Sequence, residues 1–493
     1  MKNKCALVLL LVMTGVTTFA QSIFINRDFW AKKPSIEAIK QKMAEGNNIL
    51  EMSQSGFDGL MWSIMEDNDI EVIKFVMNQP GIDFKAANLH HANNYLMWTV
   101  YKANLPVMKL LLEKGSKTDI INSHGQSLLM HAAMSGKPDP TLYDFCLQNG
   151  ANFLGDKDTD GRNVMLTAVG YLKDVSFLNY FVSKGLTLKD TDNKGNGLFH
   201  YATPTATVNT LKDLVAMGVS YAPNSAGENA FAFVGRGRGG KINVEVLQYL
   251  KSLGLDPKSP FANGQTLAHT AARVSAEEPF LQFLTENGLN LSQADNDGNT
   301  PLMLAATRSK ADFVGFWLSK NEANAVNKAG QSALTNAVAS NTTDVVKLLI
   351  EKGAKTNIKN KDGNGLYFTL IDSYRKTKGS IQRTGEIMDL LKNSGVDMPK
   401  NGKLLHAALD KDDTELLAKL IELGEDINAK DKDGYTLLHY ASMKSKNLDL
   451  LKFLVEKGAN PKVKTELNES IAELIAENEV LGKQKLNLDF LNK

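Results

Sequence analysis

The chain has 493 residues, 43% hydrophobic and 23% charged, with 38 Gly and 13 Pro, a composition that excludes collagen-like and low-complexity classes. Lys plus Arg number 56 against 55 Asp plus Glu, a formal charge of +1. No net basic field draws the chain to phosphate backbones, so nucleic acid is not an expected partner.

In chain order, Lys2 and Lys4 precede an apolar run from Ala6 to Val16, and Thr18-Phe19-Ala20 places small residues before Gln21. This is the layout of a cleaved secretory signal over residues 1–20. The run is too short to span a bilayer as a mature helix, and no second long apolar stretch follows it. The expectation is export to the periplasm, with the extracellular medium as the alternative, and no stable membrane insertion after cleavage. Cys5 leaves with the signal, and the remaining Cys146 has no partner for an intramolecular disulfide. Cys146 stands where sibling segments carry Leu or Val, so it reads as a small buried hydrophobe. Residues 21–56 read as an N-terminal helical cap, with a polar-faced helix between Pro34 and Gly46.

From there the chain repeats. Glycines that open an apolar stretch fall at Gly125, Gly161, Gly195, Gly227, Gly264, Gly298, Gly330, Gly363, Gly402 and Gly434, at a period near 33. A second set ends the following helical pattern, among them Gly115, Gly150, Gly254, Gly353, Gly395, Gly424 and Gly458. Within one period, Asp297-Gly298 makes a tight turn and Thr300-Pro301 starts a helix whose Ala305 and Ala306 admit a close neighbour. The stretch Asp344 to Gly353 is a second helix with apolar residues at i, i+3 and i+4. One such pair cannot bury its apolar face alone, so the core must come from stacking.

These residues resemble the ankyrin repeat. Gly298-Asn-Thr-Pro-Leu-Met-Leu-Ala-Ala306 carries the family pattern with Met303 in place of His, and Gly264 to Ala272 and Gly434 to Ala441 are also good matches. The resemblance implies an all-α ankyrin-repeat solenoid of about eleven to twelve units over residues 57–466. Residues 467–493 then form a C-terminal capping helix and tail. Two units are irregular. The 227–264 unit carries the extra Gly235-Arg-Gly-Arg-Gly-Gly240, and the 363–402 unit carries Tyr374 to Gly385; both insertions are expected to be exposed mobile loops. The first of these units is expected to be the weak link of the array.

Three patterns invite a chemical reading. Asp156-Lys-Asp-Thr-Asp-Gly161 opens like a calcium loop, but Thr167 stands where the bidentate Glu belongs, which favours turn capping. His200, His269, His406 and His439 recur once per unit, too far apart to converge on one zinc ion, and read as bridges between turn backbones. The pair His90-His91 has no cysteine or acidic neighbour in sequence. No nucleophile elbow or His-Glu-x-x-His motif occurs, so neither catalysis, cofactor nor metal is expected.

Binding then rests on side chains projecting from first helices and turn tips. By register these are Trp98, Tyr101, Tyr201, Arg273, Arg308 and Tyr440, of the types that anchor protein interfaces. The resemblance implies a non-catalytic protein-interaction scaffold, here of the bacterial envelope and monomeric, with a protein partner on its concave face. The alternatives are a released effector or toxin-like protein, and an unrecognised hydrolase using an irregular unit.

Overall fold

The structure, a computed structural model, describes residues 21–87, 89–237 and 242–492; the predicted signal and residues 238–241 of the glycine-arginine insertion lie outside the described residues. Among the described residues every regular element is helical, and the β contribution is one isolated bridge between Leu89 and Asn93. No helix of the described residues is long and apolar enough to cross a membrane.

The unit around Asp295 shows how sequence becomes structure. The Asp295 carboxylate accepts the N–H groups of Asp297 and Asn299 at 2.9 and 2.8 Å, closing the turn. Gly298 sits at φ 84°, and a Cβ there would lie 3.1 Å from Cα of Asn327 in the following turn, so a side chain is excluded twice. Thr300 caps the helix Pro301–Arg308, whose first residue needs no N–H donor. This helix buries Leu302, Met303, Ala305 and Ala306, and packs against Leu267–Val274 on one side and Ala333–Ser340 on the other. The paired helix Ala311–Leu318 buries Val314 and Trp317 completely.

The chain divides into two compact units, one ending at Ala226 and the other beginning at Gly227. The first opens with the short helices Arg27–Ala31 and Ile36–Ala44, around a fully buried Trp30 whose indole N–H donates to the Phe24 carbonyl at 2.8 Å. Five helix pairs follow, from Gly59–Met65 to Val208–Ala216. The second unit opens with a single 3-10 turn, Ala230–Phe233, in place of a first helix. All four of its residues are buried, with the Phe231 and Phe283 rings 6.2 Å apart, so the irregular start is apolar and packed. Six further pairs run from Leu267–Val274 to Asp449–Glu456. The helix Ile471–Glu477 closes this unit, and the Asn478 amide donates to the carbonyls of Ser442, Met443 and Ser445.

Two expectations need correction in the 363–402 unit. The Tyr374 to Gly385 insertion is not a mobile loop. From Ser380 it is part of the 14-residue helix Ser380–Asn393. Tyr374 is buried and donates its hydroxyl to Asp413 at 2.6 Å. Arg383 donates to the carbonyls of Val338 and Asn341 at 2.7 and 2.6 Å, completing the C-terminal end of Ala333–Ser340. The insertion is ordered because it supplies a cation to carbonyls that a regular unit leaves to smaller groups. The second correction is Gly402, counted above with the turn glycines. It is the N-cap of Lys403–Leu409 at φ 75°, with no turn of the usual length before it.

Candidate functional site

The turns form a ladder. Between most successive turns the N–H two residues before a turn glycine donates to the carbonyl just before the preceding one: Asn193 to Asp160, Asn296 to Asn263, Lys328 to Asp297 and Lys361 to Ala329, at 2.8–3.2 Å, whereas the Ala262 N–H donates to the Glu228 carboxylate instead. Asparagine side chains repeat the linkage, Asn327 to Asn299 at 2.8 Å and Asn122 to Asn93 at 3.1 Å. Asp158 is consumed in its own turn: one oxygen accepts the N–H groups of Asp160 and Arg162, the other the Arg162 guanidinium at 2.6 Å. The calcium-like motif is therefore turn chemistry. Among the described residues no group of three His, Cys, Asp or Glu side chains is placed to hold a metal ion.

Of the periodic histidines, His269 and His439 are bridges, whereas the Nε2 of His406 is buried without a hydrogen-bond partner among the described residues. His269 accepts the Thr266 N–H through Nδ1 at 3.1 Å and reaches the Asn299 carbonyl of the next turn through Nε2 at 3.0 Å. His439 does the same between Thr436 and the Val463 carbonyl. Burial lowers the pKa of both rings, keeping them neutral in this role. His91 and His124, on successive turns, approach to 3.1 Å between ring nitrogens, a pairing that sequence spacing did not reveal. Cys146 is fully buried, and burial pushes its thiol up to about 12, so it is no nucleophile.

The six side chains expected to bind a partner fall into three settings. Trp98 and Tyr101 lie together, ring centroids 6.1 Å apart, and Trp98 also meets Phe57, His90 and His131 in a half-buried aromatic cluster. Tyr201 and Tyr440 occupy the same repeat position, and both spend their hydroxyls on the turn: Tyr201 on Asp192 at 2.5 Å, Tyr440 on Asp431 at 2.6 Å. A cation covers each ring, Arg162 at 5.5 Å and Lys444 at 5.9 Å. Arg273 and Arg308 are exposed in the last turns of their helices, Arg273 reaching Gln265 at 3.4 Å. The aromatics are partly structural, and the two arginines are exposed.

A further feature escaped the residue-type search because it is a missing segment. From the helix-ending glycine to the next first helix, regular linkers run from Gly353 to Leu366 and from Gly424 to Leu437, a span of 13, whereas Gly395 to Lys403 spans 8. A cavity of about 530 Å³ opens where the turn is cut short, lined by Ile358, Phe368, Val396, Met398, Pro399 and Lys403 among others. Glu425 replaces the small residue of sibling units, as at Ala354 and Ala459, and its carboxylate accepts the Gly402 N–H at 2.8 Å. Burial pushes this carboxyl up to about 7. The signal was present in the 39-residue interval between Gly363 and Gly402, which read as a pure insertion but combines a longer helix with a shorter turn.

Capped, stacked helix–turn–helix units bridged through their turns define an all-α repeat solenoid. Residues 268–362 and 380–465 match the family model for ankyrin repeats, and the chain carries ankyrin repeats. A Rickettsia felis protein named for such repeats is 28% identical over 243 residues, which are 43% of this chain and 62% of that protein. A Fowlpox virus protein named likewise is 35% identical over 116 residues, 23% of this chain and 19% of its own length. The chain thus spans less than two thirds of these relatives. The ankyrin repeat domain of human ASB11 covers 44% of this chain at 22% identity, with a TM-score of 0.37.

Proposed function

We propose that this chain, which carries ankyrin repeats, is a protein–protein interaction module and an exported scaffold of a bacterial envelope, acting in the periplasm without catalysis. The reading is supported by one combination: the basic, apolar and small-residue order of residues 1–20, ahead of an array in which Asp158, Asp192 and Asp431 are spent on turns. Exposed Arg273 and Arg308 lie on the face proposed to meet the partner.

Crosslinking in intact cells followed by mass spectrometry tests the scaffold. A reproducible protein adduct lost on charge reversal of Arg273 and Arg308 is the expected result. An adduct indifferent to both would move the interface elsewhere. Recovery in the culture medium, with none in the osmotic-shock fraction, would replace the scaffold by a released effector.

A further inference from the structure

The shortened linker leaves the turn ladder open on both sides. By the pattern that joins most sibling turns, the Asp362 carbonyl would accept an N–H from a turn near residue 400, and the Lys432 N–H would donate to that turn. Neither bond exists: among the described residues no backbone N–H donates to Asp362 O, and Lys432 N finds no backbone acceptor. The flanking turns are otherwise complete, Asn360 bonding Asn364 and Asp431 bonding Tyr435 at 2.9 Å each. They belong to units two apart in the stack, so the space between them is that of one turn. Gly402 lies against Ala429, and its N–H donates to Glu425. The cavity lies between residues 356–368 and the shortened linker 395–404.

The cavity is amphipathic. Ile358, Phe368, Val396 and Met398 line it and are each only half-buried, whereas Met303 and Thr335, which stand where Phe368 does in complete units, are buried. Its rim is basic: Lys359 and Lys403 are exposed and form no ion pair among the described residues, against the single lining carboxylate of Asp397. The Lys403 ammonium lies 5.1 Å from the Phe368 ring centroid, so charge and apolar surface are presented together.

We propose that this gap is a docking slot for an extended acidic segment of a partner protein, which supplies the turn that the chain lacks. The segment's backbone donates to Asp362 O and accepts from Lys432 N–H, restoring the ladder as an added strand completes a sheet edge. One of its apolar side chains enters the cavity, whose volume lies in the range of about 300–1,000 Å³ usual for ligand sites. Its carboxylates meet Lys359 and Lys403. The proposal rests on the protein-interaction reading and gives it a location and a ligand chemistry.

The probe is a fluorescent peptide of residues 291–299, Leu-Ser-Gln-Ala-Asp-Asn-Asp-Gly-Asn, an acidic turn from a complete unit of the same chain. Fluorescence anisotropy with the full chain should show saturable binding, at least tenfold weaker when both aspartates of the probe become Asn. K403E together with K359E should weaken binding at least tenfold; both side chains are exposed, so folding is retained. Hydrogen exchange at the Lys432 amide should slow on binding, a readout that nonspecific charge attraction does not move. A variant with five residues inserted after Pro399 to restore the turn should lose binding. Absence of saturable binding, equal binding by the lysine variants, or an unprotected Lys432 amide each overturns the slot. If the slot falls while the cellular crosslink persists, the interaction module stands and binds elsewhere; if the crosslink is absent and the peptide binds, the slot stands and the Arg273–Arg308 face falls.

Discussion

The stretch from Gly264 to Gly353 and the stretch from Gly363 to Gly434 lie in the same unit of the chain and solve one packing problem differently. In the first, every turn has its full length, and the ladder N–H groups of Asn296 and Lys328 each find a carbonyl. Helix ends are locked by neutral groups, as where the Asn341 amide donates to Ala306 and Ser309 at 2.9 and 3.0 Å. In the second, a turn is cut short and its duties pass to long charged side chains: Arg383 completes a helix terminus and Glu425 caps Lys403–Leu409 from below. A repeat stack tolerates such a defect because each unit answers only to its neighbours. The penalty is a buried carboxyl, an open ladder and a cavity. Regular units are made of stability; the irregular one holds whatever the ladder leaves unsatisfied.

That contrast can be broken most strongly at Arg383. Removing it in R383A leaves helix-end carbonyls without a charged donor in a half-buried site, and chemical denaturation should register a loss of about 2–3 kcal/mol. The exposed Lys347→Ala in the regular stretch should change stability by less than about 0.5 kcal/mol. Equal effects would mean that Arg383 is ornamental and the insertion orders itself.

Next in size is Glu425. Its folded-state pKa, near 7, lies above its ordinary 4.5, so the protonated form is the one the fold favours. The stabilisation is fully present below about pH 4.5 and is lost as pH rises through 7. Denaturation midpoints should fall between pH 5 and pH 8, and E425Q should remove that slope and be more stable at pH 8 by about 1–3 kcal/mol. A pH-independent difference between the two proteins would assign the defect to packing instead of charge.

Asn327 sharpens the comparison from the regular side. N327A loses the bond to Asn299 together with its own turn caps at Ala329 and Gln331, and should cost about 1 kcal/mol. The same change at Asn401, next to the open ladder and exposed, should cost less. The smallest effect compares backbones: amide exchange should be faster over 227–250, where one 3-10 turn stands for a helix, than over 300–352. Uniform protection would show that the buried Ala230–Phe233 turn is as secure as a full helix.

The ankyrin pattern was legible without coordinates because it is local. Asp-Gly turns, Thr-Pro helix starts, paired alanines and helix-ending glycines each act within a few residues of themselves, and the period declares the stack. The turn role of Asp158 was readable for the same reason, and the bridges of His269 and His439 were readable from their recurrence once per unit. What tertiary structure alone decided depends on partners 23 to 46 residues away: His91 on His124, Arg383 on the end of Ala333–Ser340, Glu425 on Gly402, Tyr374 on Asp413. Residue type assigned Tyr201 and Tyr440 to a binding face, whereas folding spends their hydroxyls on Asp192 and Asp431, because a turn nine residues upstream is brought back beside them. The shortened turn was written in the sequence as a count, hidden by a helix extension that lengthened the same interval. Only the stack, by fixing where the next turn should stand, turns that count into an empty place with a carbonyl on one side and an N–H on the other.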